Sequence, residues 1–311
     1  LRQRDQQTTG KDIELMQYPG FEKMVEPARP KAELWRLIAG LGIVAAVYLG
    51  LTRAFFSILQ MLIQPDTFWS FAADVETGKT ALGLLVLLLL MGAMGLGALV
   101  AAELVHQRRP FGLFGARDLF WRQFGRVILA LSVLFFAIAI LPPWPMSRDM
   151  NPGLPAGVWI SLLPLTLCAI LIQSGSEELL FRGYLQSQLA ARFAHPLIWL
   201  TLPSALFALG HYAPAVYGSN AILVAIWAFV FGLATADLTM RAGTLGPAIA
   251  LHLVNNTLAI AVISLQGDLS GLALYHLPFG PENEAAVRAL LPLDLVAIGL
   301  AWLAARVAIR A

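Results

Sequence analysis

Long apolar runs dominate this chain, and they restrict it to one kind of solvent. A helix that crosses a bilayer needs about 20 apolar residues, because a rise of about 1.5 Å per residue must span a hydrocarbon core about 30 Å thick. Runs of that size extend from Leu34 to Ile63, from Thr80 to Val105, from about Arg122 to Leu141, and from Gly157 through Cys168 into Glu177–Arg182. Others extend from Pro196 to Tyr212, Asn220 to Met240, Leu245 to Leu265 and Leu290 to Ala308. Of 311 residues, 58% are hydrophobic and 13% charged, and mean hydropathy is +0.72. A soluble domain averages about 45–50% apolar and about 25% charged residues. The composition therefore excludes a soluble globular enzyme and a disordered regulator. A secreted disulfide scaffold is excluded too, since Cys168 is the single cysteine. A net charge of +2 gives no footprint for nucleic acid. The expected fold class is all-α, a polytopic membrane protein with about eight transmembrane helices.

The runs differ in character. The first is long enough to tilt or to begin at the interface, and it carries Arg53, expected to snorkel or to pair with a residue such as Glu103. The second bears a stripe of small residues, Ala93, Gly97 and Ala101, which suits close helix contact. Pro142, Pro143, Pro145, Pro152 and Pro155 make the stretch after the third a loop. Gly267, Gly271, Pro278, Gly280 and Pro281 mark another before the last. Between the second and third runs, Pro110–Phe114 reads as an ordinary basic loop in preference to an amphipathic surface stretch. Cys168 reads as a small buried hydrophobe.

Basic residues orient the runs. Arg2, Arg4, Lys11, Lys23, Arg29, Lys31, Arg36, Arg108, Arg109, Arg117, Arg122, Arg126, Arg182, Arg192, Arg241, Arg306 and Arg310 fall on one side of an eight-span model. Lys79, Arg148 and Arg288 fall on the other. By the positive-inside rule both termini are expected in the cytoplasm, in a bacterial-type inner membrane. Residues 1–33 are polar, and they read as a flexible tail, a membrane-surface helix or a partner-binding arm.

Ionisable groups within spans are costly and usually mark function. Glu177 and Glu178 are adjacent; Glu178 and Arg182 are four apart and share a helix face. Arg182 is expected to neutralise Glu178 while Glu177, about 100° around the helix, points into a cavity. A desolvated glutamate there suits a general base. The structural alternative is a helix-end ion pair. His211 closes the run Phe207–His211, with plain packing as its alternative. His252 and Asn256 share a helix face, with Asn255 nearby, and together suit an oxyanion site; their alternative is interhelical hydrogen bonding. Two carboxylates, two histidines and an amide on three helices suit acid–base chemistry on a carbonyl better than packing. Asp237 and Arg241 read as a helix-end salt bridge capped by Gly243. His106, His195 and His276 carry no motif.

These residues resemble the CPBP family of intramembrane proteases (CAAX protease and bacteriocin-processing, or ABI), relatives of the Rce1-type CAAX endopeptidase. Two glutamates, three residues, then arginine match Glu177, Glu178 and Arg182. Phenylalanine with histidine four later matches Phe207 and His211. Histidine with asparagine four later matches His252 and Asn256. The resemblance covers roughly residues 157–265. It implies an Rce1/CPBP-like fold with a catalytic cavity open toward the cytoplasm. It further implies that Glu177 and His211 activate a water, that His252 and Asn256 stabilise the oxyanion, and that Glu178 and Arg182 position the site, with Phe207 in support. No cofactor is required; the alternative is zinc at Glu177, His211 and His252.

The expected organisation is a cytoplasmic segment 1–33, helices and loops over 34–156, a catalytic core over 157–265, and a loop with the last helix over 266–311. The expected function is endopeptidase hydrolysis of a membrane-associated, lipidated or hydrophobic peptide or protein, with the bilayer itself a partner. A non-catalytic membrane scaffold that binds a partner protein is the alternative. A proton-coupled transporter fits less well, since no internal repeat is evident.

Overall fold

A computed structural model describes residues 18–141 and 149–310. The prolines at 142, 143 and 145 of the expected loop lie outside the described residues. Pro152 and Pro155 fall in a short strand and at a helix start.

Each apolar run forms a helix. In chain order these are α1 (Pro19–Val25), α2 (Leu34–Leu62), α3 (Pro65–Thr77), α4 (Ala81–Leu90) and α5 (Gly92–Leu104). Then come α6 (Arg117–Ile140), α7 (Ala156–Glu178), α8 (Ser187–Arg192), α9 (Pro196–Gly210) and α10 (Pro214–Tyr217). The last are α11 (Ala221–Ala242), α12 (Gly246–Asn256) and α13 (Glu284–Ala308). Among the described residues, six continuous helices are long and apolar enough to cross a membrane: 34–62, 81–104, 117–140, 156–192, 214–242 and 284–308. Two shorter apolar helices, 196–210 and 246–262, bring the apolar set to the expected number. The protein is an integral, multi-pass, all-α membrane protein.

The outward faces confirm the solvent. Trp35, Ile38, Met61, Leu129, Phe136, Leu209 and Val307 are exposed along the helices, where a soluble protein would place polar groups. Lipid tolerates them because it is as apolar as they are. Cys168 is exposed on this surface, which corrects its expected burial. Its helix turns that face away from the bundle. Arg53 is also exposed and makes no ion pair with Glu103 in the structure, so snorkelling is the reading that fits.

Small residues bring helices close. A Cβ on Gly97 would lie 2.8 Å from Val44 Cα, and Ala98, Ala101 and Ala102 are fully buried between α2 and α5. Gly243 ends α11 at φ +67°, a left-handed conformation that favours glycine, and its N–H donates to Thr239 O. The Asp237–Arg241 ion pair forms at 2.7 Å as expected, and Trp302 Nε1 donates to Asp237 from α13 at 3.0 Å.

Three further regions complete the described bundle. The amphipathic α3 lies between the first two apolar runs, with Pro65 in its first turn and Gly78 as its left-handed cap. The polar segment before α2 is a strap in its described part. Phe21, Met24, Val25 and Ala28 are buried against α8, α9 and the end of α11. Arg108 ties the strap down. Its guanidinium donates to Met24 O, Ser187 Oγ and Gln188 Oε1. His106 Nδ1 donates to Lys31 O at 2.9 Å, and the Tyr184 hydroxyl donates to His106 Nε2 at 2.9 Å. Pro110–Phe114 is a 3₁₀ turn with Leu113 fully buried and Phe114 O accepting from Leu245 N. It is thus a fitted part of the core rather than a free loop. At the opposite end a small sheet runs β1 (Asn151–Pro152), β3 (Tyr275–His276), β2 (Ile263–Ser264), antiparallel then parallel.

Candidate active site

The site grows from the helix α7. Residues 173–191 are buried at every position except Gly175 and Phe181, which are partly exposed. Polar side chains in this stretch therefore have to find partners within the bundle. Past Glu178 the backbone becomes π-helical from Leu179 to Gln186, and a second π-helical stretch, Thr257–Val262, follows Asn256. Such widened turns cost regular hydrogen bonding and concentrate at functional sites. Here each adjoins a polar motif.

Glu178 is fully buried. Its Oε1 accepts from Arg182 Nη1 at 3.2 Å and from His252 Nδ1 at 2.8 Å. Arg182, also fully buried, donates through Nη2 to Gly232 O at 3.2 Å. Its guanidinium lies 4.9 Å from the Phe207 ring centroid. The expected ion pair is present, but it sits in the bundle interior rather than at a helix end. An ionised carboxylate only accepts hydrogen bonds, so His252 Nδ1 carries the proton toward Glu178.

The other imidazole nitrogen faces the second carboxylate. His252 Nε2 lies 3.5 Å from Glu177 Oε2, and that oxygen is buried without a hydrogen-bond partner. One ring thus bridges both glutamates. Glu177 is expected to face a cavity, but both acids are buried and reach the same histidine.

His211 is placed differently from the expectation. It caps α9, half-buried, with Nδ1 donating to Phe207 O at 2.9 Å. Its ring lies 4.4 Å from the Phe207 ring, which lies 6.0 Å from His252. Phe207 therefore contacts both histidines and the arginine. The histidine within 4 Å of Glu177 is His252, at 3.5 Å. Asn256 is brought into the site from α12. Its Nδ2 donates to Gln173 Oε1 at 2.8 Å, and its Oδ1 accepts from Asn255 Nδ2 at 3.2 Å. The sequence reading overlooked Gln173. Its signal was a polar residue in an apolar run, one turn before Glu177.

Among the described residues, no three His, Cys, Asp or Glu side chains gather as a group that could hold a metal, and both nitrogens of His252 face carboxylates. The stretch Gly246–His252 is buried at every position, while His211, Asn255 and Asn256 are partly exposed.

Among the described residues, eight apolar helices and a buried Glu–Glu–Arg–His cluster define a polytopic all-α membrane protein. Residues 159–258 match the family model described as type II CAAX prenyl endopeptidase Rce1-like, the family that the motifs resemble, and one of proteases. The chain is 24% identical over 261 residues to the uncharacterised protein YyaK of Bacillus subtilis (strain 168), covering 81% of this chain and 85% of that protein. No solved structure matches it.

Proposed function

We propose that the protein is an intramembrane endopeptidase that hydrolyses a peptide bond by water activation at Glu177, without a metal. The observation that carries this reading is Glu177 Oε2, buried, unpartnered and 3.5 Å from His252 Nε2. A base needs a free lone pair at the reacting centre and a second group with which to exchange the proton. Glu177 takes a proton from water as the oxygen attacks the carbonyl carbon. The same proton passes to the leaving amine when the C–N bond breaks. His252 is the group that bridges the two carboxylates. Its orientation is fixed by Glu178, which Arg182 and the Gly232 carbonyl hold in turn. The free N–H of Asn256 stabilises the oxyanion. With Nδ1 committed to Phe207 O, His211 keeps Nε2 as a further acceptor.

The substrate class is a peptide or protein that is lipidated or hydrophobic near the cut, since the site lies among apolar helices. The basic residues support an inner-membrane orientation with both termini cytoplasmic. The test compares peptide termini in membranes of cells carrying wild type or Glu177→Gln at matched expression. Termini present only with wild type are expected. Identical termini, with the variant folded, would move the reading to a non-catalytic scaffold.

A further inference from the structure

We propose that Gln173 is a positioning residue, holding the Asn256 amide in the orientation that the oxyanion requires. This rests on the hydrolytic reading above and adds a residue to it. Gln173 is 5% exposed and lies one turn before Glu177 on α7. Its Oε1 accepts from Asn256 Nδ2 at 2.8 Å and from Ser174 Oγ at 3.1 Å. With both lone pairs engaged by donors, the Gln173 amide cannot flip without setting N–H against N–H. Asn256 is held at both ends as well, since its Oδ1 accepts from Asn255 Nδ2 at 3.2 Å.

A planar amide anchored through its oxygen and one N–H has the direction of its other N–H determined. That remaining donor is the one available to a developing oxyanion. Removing the Gln173 acceptor frees the terminal torsion of Asn256, which is intrinsically broad. The need is local, because Asn256 is the last residue before the π-helical turn Thr257–Val262. The chemistry also explains why the acceptor is an amide. A carboxylate at 173 would share a helix face with Glu177 and place a further negative charge one turn from it.

The test is a double-mutant cycle on purified protein in detergent, using a peptide that spans a cut site found by the terminus comparison. Gln173→Leu is expected to lower kcat about tenfold and leave KM within about twofold, since misplacing a transition-state donor costs rate rather than binding. Asn256→Ala is expected to lose at least as much. The double variant should fall no further than Asn256→Ala alone, because Gln173 acts through that amide. A merely structural Gln173 predicts losses that multiply, and that result overturns the proposal. So does an unchanged kcat in Gln173→Leu. If Gln173→Leu does not fold, Gln173→Met, of similar length, replaces it in the same cycle. As a readout independent of turnover, the side-chain amide protons of Asn256 should exchange slowly in wild type and rapidly in the variant; equal exchange overturns the proposal. The two readings fail differently. If Glu177→Gln leaves the termini unchanged, hydrolysis is wrong and this proposal falls with it. If Glu177→Gln is inactive while Gln173→Leu is fully active, only the role of Gln173 is wrong.

Discussion

Arg182 shows how a single buried residue combines two jobs. It neutralises Glu178 and bonds the Gly232 carbonyl on α11, so it links two helices through one planar fork. Arg182→Met would strand a fully buried carboxylate. Removing one partner of such a pair typically costs about 3–5 kcal/mol, so thermal unfolding in detergent should show a large loss of stability. Arg182→Lys keeps the charge but not the fork, and one ammonium does not reproduce both contacts. A melting temperature between those of wild type and Arg182→Met is expected. Full recovery by lysine would show that charge alone matters. The pairing of Glu178 with Arg182 was legible in the sequence because four residues make one helical turn. The meeting of Glu177 with His252 was not. It depends on how α12 packs against α7, and a separation of 75 residues carries no periodic signal.

At the scale of elements, close approach between α2 and α5 depends on atoms that are absent. The Cβ of any residue replacing Gly97 would meet Val44 Cα at 2.8 Å, with Val44 O at 3.1 Å. Backbone cannot move aside as a side-chain tip does. Gly97→Val is therefore expected to destabilise by about 1–3 kcal/mol, the usual range for overpacking, read as a lower melting temperature in detergent. Gly42→Ala, in a position with nothing within 4 Å of the new Cβ, is the control and should be close to neutral. The stripe of small residues forecast this contact. The two π-helical stretches beside the site were not forecast, because a π-turn uses the same apolar residues as an α-turn. Nor was α3, whose mixture of Asp66, Trp69, Asp74 and Glu76 resembles a loop until its apolar side packs.

At the scale of the molecule, the strap ties the sequence before α2 to the helix that carries the glutamates. His106 is central to the tie. Burial, with Arg108 and Arg36 nearby, lowers its proton affinity below that of an ordinary histidine; the Lys31 carbonyl and Glu33 oppose the shift. A histidine whose folded pKa is depressed binds protons more readily when unfolded. Its contribution is complete above the ordinary value of about 6.5 and is lost as pH falls through it. Stability should therefore drop on acidification from about pH 7.5 to pH 5.5. His106→Gln should flatten that slope relative to wild type, as measured by thermal unfolding across the range. An unchanged slope would show that other groups govern it. Arg108, lowered by burial to about 10, stays charged throughout and does not contribute.

The sequence by itself determined the solvent, the helical class and the near-complete set of apolar helices, because hydrophobicity over about 20 residues is a local property that lipid reads directly. It also determined which polar residues were out of place: Glu177, Glu178, Arg182, His211, His252 and Asn256 interrupt runs where a polar group is expensive. Only the tertiary structure decided which of them meet. It put His252 beside Glu177, gave Asn256 its partner Gln173, packed the strap against α8, and turned Cys168 to the outer surface. Those outcomes depend on helix rotation, crossing and register. They are settled by the summed packing of side chains distant in sequence, and local pattern does not encode them.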